Sequence, residues 1–218
     1  MAELNSLFQI GLNVSERLCL VIGGGEEAED KAGRLIDAGG RVTLVSPEVT
    51  DLLAQWASQD RLQWHDRGYQ PADLDDGVFL LMNTLRGEPR LSEEVFAAAE
   101  ARGILVNTYD DLVHSHFGMA ALVRAGPLRI SISTSNASPT LSGRLRRDLE
   151  DLFDTEFGDY LEALGQARAL LKEQVPDFAS RCEILHSLVE GAHLEGRFHL
   201  PEDWRGRIEA AVCTNKNE

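Results

Sequence analysis

Cysteine is scarce. Cys19, Cys182 and Cys213 are odd in number and far apart, with no C-x-x-C pair. Neither a disulfide framework nor a zinc or iron–sulfur site is expected from such a set, and no metal site is assigned. The usage suits a reducing cytoplasm. Long apolar runs are missing: none reaches the roughly 18 residues of a membrane span, and the first residues hold Glu3 rather than a basic stretch leading into an apolar one. The expectation is a soluble, unexported chain with no membrane partner. Positive charge is also short, since 21 Lys and Arg face 36 Asp and Glu for a formal net charge of −15. That balance repels nucleic acid and anionic membrane. No internal repeat and no low-complexity tract occurs. One last absence is local. From Leu112 to Arg147 there is no Asp or Glu, while Arg124, Arg129, Arg144, Arg146 and Arg147 all fall within the stretch. Two readings stay open: a docking place for a polyanion, or arginines that satisfy acidic groups of the C-terminal segment or of a second subunit.

What is present begins with Cys19-Leu20-Val21-Ile22-Gly23-Gly24-Gly25-Glu26-Glu27-Ala28. The apolar run has the length of a buried parallel strand, and Ala28, Ala32, Leu35 and Ile36 then recur on one helical face. Glycine turns also join strands to helices for structural reasons alone. Here strand and helix flank a G-x-G-x-x-A pattern, which favours a nucleotide site. Gly23 would make the tight turn, Gly25 would let backbone approach a pyrophosphate, and Ala28 would keep the helix close to the sheet. The helix N-terminus would face the phosphates.

At 218 residues the chain can hold one large domain, or one domain with a smaller partner. Leu7 to Val14 is partly alternating and suggests a short leading strand or a cover for the sheet. Gly39-Gly40 stops the first helix, and Val42 to Val45 reads as the second strand, completing a βαβ unit. The acid that usually ends this strand in an NAD-binding unit is replaced by Ser46; Glu48 follows Pro47, with no Arg beside it to welcome a 2′-phosphate. NAD is therefore favoured over NADP. A helix at 51–58, strands at 62–65 and 78–82, a helix at 92–102 and a strand at 104–107 continue the alternation of a doubly wound α/β domain. Ligands sit beyond the carboxyl ends of such strands, which singles out Asn83-Thr84 and the run from Asn107 to Asp111. Thr84 and Asn107 are accordingly assigned to the cofactor.

Asp110 and Asp111 are adjacent, so one carboxylate at most is expected to face the crevice as an acid–base group, and the other to serve as a turn or cap acceptor. His114 and His116 have strand spacing that would suit a metal pair, but no further ligand accompanies them, and turn histidines are expected. Leu128 to Ser133 alternates as an amphipathic strand, for which a second subunit is a reasonable partner. Then Thr134-Ser135-Asn136-Ala137-Ser138-Pro139 leads into a helix carrying Leu141, Leu145 and Leu149, with Ser138 as N-cap. Its amides and the nearby arginines read either as a second anion site or as a plain cap and loop. From Leu149 onward helical spacing is broken at Pro176 and between Gly191 and Gly196, and Thr214 to Glu218 is expected to fray.

Three stretches together carry a resemblance: Leu20 to Gly25 with Lys31-Ala32, Gly103 to Asn107 leading to Asp110, and Gly126-Pro127-Leu128 through Ser138-Pro139. Over about Leu7 to Leu152 the chain resembles the precorrin-2 dehydrogenase and sirohydrochlorin ferrochelatase family, the module that also forms the N-terminal part of siroheme synthase. The resemblance implies NAD held by Gly23, Gly24, Gly25, Glu26, Glu27 and the Pro47-Glu48 turn, and Asp110 as the essential aspartate. Thr134 matches a hydroxyl that some members carry as a phosphorylatable serine. It implies oxidation of precorrin-2, an octacarboxylate tetrapyrrole, to sirohydrochlorin, with ferrous iron as substrate of a second, chelating step. Thr134, Ser135, Asn136, Ser138, Arg144, Arg146 and Arg147 are then assigned to the tetrapyrrole. It further implies a homodimer exchanging its middle segment. The fold expected is a Rossmann-like doubly wound sheet (residues 1–111), a small α+β dimerisation segment (112–148) and a helical domain (149–218). Departures from the family pattern stand at Asn83-Thr84-Leu85-Arg86, at Ser135-Asn136 and at Ala120. They bear on the shape of the tetrapyrrole cleft and on metal insertion, and those at Leu85 and Ser135-Asn136 keep open a non-catalytic NAD- or tetrapyrrole-binding protein; a dehydrogenase of another substrate also stays open, since fold alone does not decide function.

Overall fold

A computed structural model describes residues 7–75, 77–135 and 137–196. The chain divides into two compact units, Met1–Gly158 and Asp159–Glu218.

In the first unit β1 (Leu18–Ile22), β2 (Arg41–Val45), β3 (Gln63–His65), β4 (Leu80–Asn83) and β5 (Leu105–Thr108) form one parallel sheet in the order β3-β2-β1-β4-β5. Helices α1 (Glu26–Asp37), α2 (Asp51–Ser58) and α3 (Pro89–Glu100) link the strands. Because successive strand side chains point to opposite faces, β1 feeds two separate cores. Cys19 and Val21 join Ala28, Ala32 and Leu35 of α1 and Leu53 of α2. Leu20 and Ile22 join Val95 and Ala99 of α3. A fully buried Leu or Ile of this kind contributes about 1.5–3 kcal/mol. Ala28 and Ala32 have no exposed surface, which is why α1 can lie close to the sheet. The strand order reverses between β1 and β4, and that reversal opens a crevice at the carboxyl ends of β1, β2 and β4.

Several boundaries differ from the sequence pattern. Residues 7–14 make no strand: a turn, with Arg17 donating to the Val14 carbonyl at 2.9 Å, leads directly into β1. Only Val14 of that apolar set is buried, and Phe8 is 88% exposed. β4 begins at Leu80 rather than Val78, and α3 begins at Pro89 rather than Ser92, proline being well suited to a first helical position. A short 3-10 turn at Pro71–Leu74 is an element the periodicity does not signal. As expected, Gly39 (φ +80) and Gly40 stop α1 just past its end at Asp37, the Gly40 N–H reaching back to the Leu35 carbonyl at 2.9 Å.

Beyond the sheet, β6 (Ala121–Ala125) and β7 (Leu128–Ile132) form an antiparallel hairpin turned at Gly126 (φ +50). The sequence pattern does not signal β6, which gives β7 a partner within the chain. Arg124 and Arg129 face each other across the hairpin, an arrangement that costs energy unless each is drawn elsewhere. Arg124 pairs with Asp37 at 2.9 Å, and Arg129 donates to the Gly126 and Leu128 carbonyls. Val123 is fully buried, and α4 (Pro139–Glu150) packs on β6.

The second unit takes in most of α5 (Thr155–Gln174) and all of α6 (Phe178–Ser187), separated at Pro176 as expected. Neither helix buries a residue. Local bonds hold them: Asp177 caps α6 by accepting from the Ser180 N–H at 2.7 Å, and the Tyr160 hydroxyl donates to the Leu188 carbonyl at 2.8 Å. The expected frayed segment from Thr214 to Glu218 lies outside the described residues. Among the described residues no helix is long and apolar enough to cross a membrane.

Candidate active site

The glycine turn is fastened on both sides. Gly23 has φ +104 and donates to the Val45 carbonyl at 3.0 Å, and a Cβ there would strike the Thr84 hydroxyl. That hydroxyl is itself placed by donating to the Ile22 carbonyl at 2.8 Å. A Cβ on Gly24 would run into the Glu48 carbonyl and the Ser46 hydroxyl, which are joined to each other at 2.6 Å. The Thr50 N–H closes the other side by donating to the Gly24 carbonyl at 3.0 Å. Gly25 is different. It is the extended N-cap of α1, no side chain caps that helix, and a Cβ on Gly25 would meet nothing within 4 Å. The chain itself therefore does not fill the space before the first amides of α1, where an anion is favoured.

That space is a cleft of about 800 Å³, within the range of small-molecule and cofactor sites. Gly23, Gly24, Gly25, Glu26 and Glu27 line it, together with Ser46, Pro47 and Glu48 after β2 and Thr84 after β4. Tyr69, Leu85, Arg86 and Glu88 line it as well, beyond the residues that sequence reasoning assigns. The signal available for Arg86 is its place just after the fourth strand. Asn107 does not line the cleft: its side chain is buried and donates to the Phe117 carbonyl at 2.8 Å, a tie within the unit's own loop. The residues fit a dinucleotide on one observation: a Cβ on Gly25 would meet no protein atom within 4 Å, so the chain leaves room before the uncapped amides of α1.

The acids of α1's first turn are largely committed. Glu29 accepts from the Thr50 hydroxyl at 2.7 Å, and Glu27 pairs with Lys31 at 2.6 Å. Arg86 approaches Glu27 at 4.0 Å, with its guanidinium 4.3 Å from the Tyr109 ring centroid. Tyr109 is held at the sheet by donating its N–H to the Asn83 carbonyl at 2.8 Å. The next residue is Asp110.

The two adjacent aspartates divide their roles. Asp111 accepts from the backbone N–H groups of Val113 and His114 and sits 2.6 Å from His114 Nδ1. It is the turn carboxylate. Asp110 is exposed, has φ +53, and makes no side-chain hydrogen bond among the described residues. A non-glycine residue held in the left-handed region is uncommon and marks a position worth a functional question. His114 and His116 lie in the loop after β5, not on a strand; His116 Nδ1 accepts from the Val106 N–H at 3.1 Å, and both rings pack on Phe96. No group of three or more possible metal ligands converges among the described residues.

The second expected anion site is built differently. Ser138 caps α4 by accepting from the Leu141 N–H at 3.2 Å. The Thr134 hydroxyl lies 3.2 Å from that of Ser142 and accepts from the Ser138 N–H at 3.1 Å. Ser135 has φ +50, and Asn136 lies outside the described residues. Arg144 pairs with Asp148 at 2.9 Å and Arg146 with Glu150, each one turn along the same helix, while Arg147 donates to the Gly143 carbonyl.

A family model for NAD(P)-binding domains matches residues 10–121. The siroheme synthase of Photorhabdus laumondii is 33% identical over 172 residues, 79% of this chain and 36% of that protein. The siroheme synthase of Xylella fastidiosa is 29% identical over 187 residues, 86% of this chain and 39% of that protein. The chain thus spans less than half the length of these relatives. Among solved structures, SirC, precorrin-2 dehydrogenase, matches with a TM-score of 0.70 and 23% identity over 85% of this chain and 90% of its own, which shows a shared fold.

Proposed function

The chain belongs to the NAD(P)-binding family, and from that premise we propose that it oxidises precorrin-2 to sirohydrochlorin with NAD. One observation carries the reading: Asp110, exposed and without a side-chain hydrogen bond among the described residues, is not itself among the cleft's lining but directly follows Tyr109, whose ring carries the guanidinium of the cleft residue Arg86. Oxidation requires a hydride and a proton to leave the substrate. NAD, when bound, supplies the hydride acceptor. Gly23 makes the turn, Gly24 and Gly25 let backbone amides approach its pyrophosphate, and Glu48 suits a ribose 2′-OH while repelling a 2′-phosphate. Asp110 accepts the proton, and its exposure lets solvent carry it away.

Ferrous iron would then be a second substrate, with Asp110 taking pyrrole protons as the metal enters. The proposal includes a cytoplasmic homodimer built on residues 112–148, a segment in which Leu112, Val113 and Met119 are exposed apolar side chains. Residues 1–111 would serve the cofactor and 149–218 the helical part. Thr134, Ser135, Ser138 and the arginines of α4 would meet the carboxylates of the tetrapyrrole, Arg144 and Arg146 exchanging Asp148 and Glu150 of their own helix for the substrate's carboxylates, since in the free chain those donors are spent within α4.

The test is anaerobic. Precorrin-2 and NAD are supplied to the purified protein, and NADH and sirohydrochlorin should appear in equal amounts. Asp110→Asn should fold and bind NAD while turnover falls by about a hundredfold or more. Full activity in that variant removes Asp110 from the chemistry. Bound NAD with no turnover in the natural protein would favour a binding protein without catalysis.

A further inference from the structure

The charge of the cleft poses a question that the glycine turn alone does not answer. A pyrophosphate is an anion, and the residues lining the cleft include four acids, Glu26, Glu27, Glu48 and Glu88. Against them stands one cation among the described lining residues, Arg86. Lys31, one turn along α1, is already held by Glu27 and Asp30 at 2.6 and 3.1 Å.

Arg86 is placed to act and is not otherwise occupied. Its side chain is 65% exposed and donates no hydrogen bond among the described residues. It lies two residues after Thr84, whose N–H and hydroxyl both bond the Ile22 carbonyl at the end of β1. Its guanidinium rests over the Tyr109 ring, 4.3 Å from the centroid, an attraction that consumes no N–H donor. Its closest acid is Glu27 Oε2 at 4.0 Å, too long for a hydrogen bond, and Glu27 belongs to the first turn of α1, where a pyrophosphate must dock.

We propose that Arg86 is a pyrophosphate-binding residue of this chain: its guanidinium moves from the neighbourhood of Glu27 onto the phosphate oxygens of the dinucleotide, with Tyr109 as the platform that keeps it at the cleft. This rests on the NAD reading above and adds the countercharge that the acidic turn lacks. The fork geometry of arginine suits paired phosphate oxygens, and a lysine would supply charge without the paired bonds. Glu27 then acts as a competitor that holds the guanidinium nearby when no dinucleotide is bound.

The test measures affinity by calorimetry for NAD, ADP-ribose and adenosine with the natural protein, Arg86→Ala and Arg86→Lys. Arg86→Ala should weaken NAD and ADP-ribose alike by about tenfold, leave adenosine unchanged and make NAD binding less sensitive to salt. Arg86→Lys should recover part of the loss. NAD affinity within about twofold of the natural protein in Arg86→Ala overturns the proposal alone. So does an equal loss for adenosine, which carries no phosphate. Failure of the natural protein to bind NAD at all would overturn the cofactor reading and this proposal together.

Discussion

Helices α1 and α4 both start from turns rich in small residues, and both turns read as anion sites in the sequence, yet their N-termini are finished in opposite ways. At α4 the donors are spent: Ser138 accepts from Leu141, Thr134 accepts from Ser138, and two of the helix's arginines are taken by acids one turn on. At α1 no side chain caps the helix, and a methyl placed on Gly25 would find no protein atom within 4 Å. The comparison teaches that a helix start becomes a ligand site through the donors left unspent and the cavity in front of them. Small residues alone do not decide it.

The largest effect should come from Gly24→Ala, which tests whether the packed turn is what keeps those donors available. Its new methyl would collide with the Glu48 carbonyl, and backbone has little room to give. NAD affinity should fall by at least about tenfold and stability by about 1–3 kcal/mol. Gly25→Ala should separate the two quantities, because its methyl meets no protein: denaturation stays close to that of the natural protein while NAD binding weakens. If both variants bound NAD normally, the distinction between α1 and α4 would collapse. Ser138→Ala probes the other side. Loss of that cap should cost about 1 kcal/mol in a urea titration, the usual value for a serine cap, with NAD affinity unchanged.

The same contrast marks how far the sequence could be read. The run from Cys19 to Ile22 is legible because a strand buried on both faces must be apolar throughout, and Gly23 and Gly24 are legible because nothing larger fits between the ends of β2 and β4. Pairings made across the chain are harder to see. Ala121–Ala125 is a weak strand former containing two alanines and an arginine, and only its pairing with β7 makes it a strand; the Gly126-Pro127 pair between the two is the available hairpin signal. Leu7 to Val14 shows the reverse failure, since alternation without a sheet edge to join produces no strand. Asn107 looks like a crevice residue from its strand end, but its amide turns to the Phe117 carbonyl, a partner ten residues on. Arg86 is hard to single out from sequence because its importance lies in the acids around the cleft, which come from three separate places in the chain.

The smallest effect concerns Asp111, which satisfies its own turn much as Ser138 satisfies α4. Partial burial pushes its carboxyl pKa up, but the hydrogen bonds from the His114 side chain and from the N–H groups of His114 and Val113 outweigh this and hold it below the ordinary value. A carboxyl depressed in the folded state stabilises most when ionised in both folded and unfolded chains. Its contribution should therefore be complete above the ordinary aspartate pKa of about 4 and disappear as the pH falls through the lower folded value. Asp111→Asn keeps an oxygen for the two backbone donors but replaces the charged Oδ2 beside His114 Nδ1 with an amide NH2, so the stability gap between it and the natural protein measures the charge together with that contact. The side chain is 32% exposed, and pairs that open to solvent are worth under about 1 kcal/mol. Urea titrations from neutral pH downward should show that gap shrinking in acid; a gap that widened instead would mean that the charge is not what holds the turn. The turn also presents Asp110 in its left-handed conformation. A loss of turnover in Asp111→Asn at neutral pH, with NAD affinity intact, would place the conformation of Asp110 under the control of its neighbour.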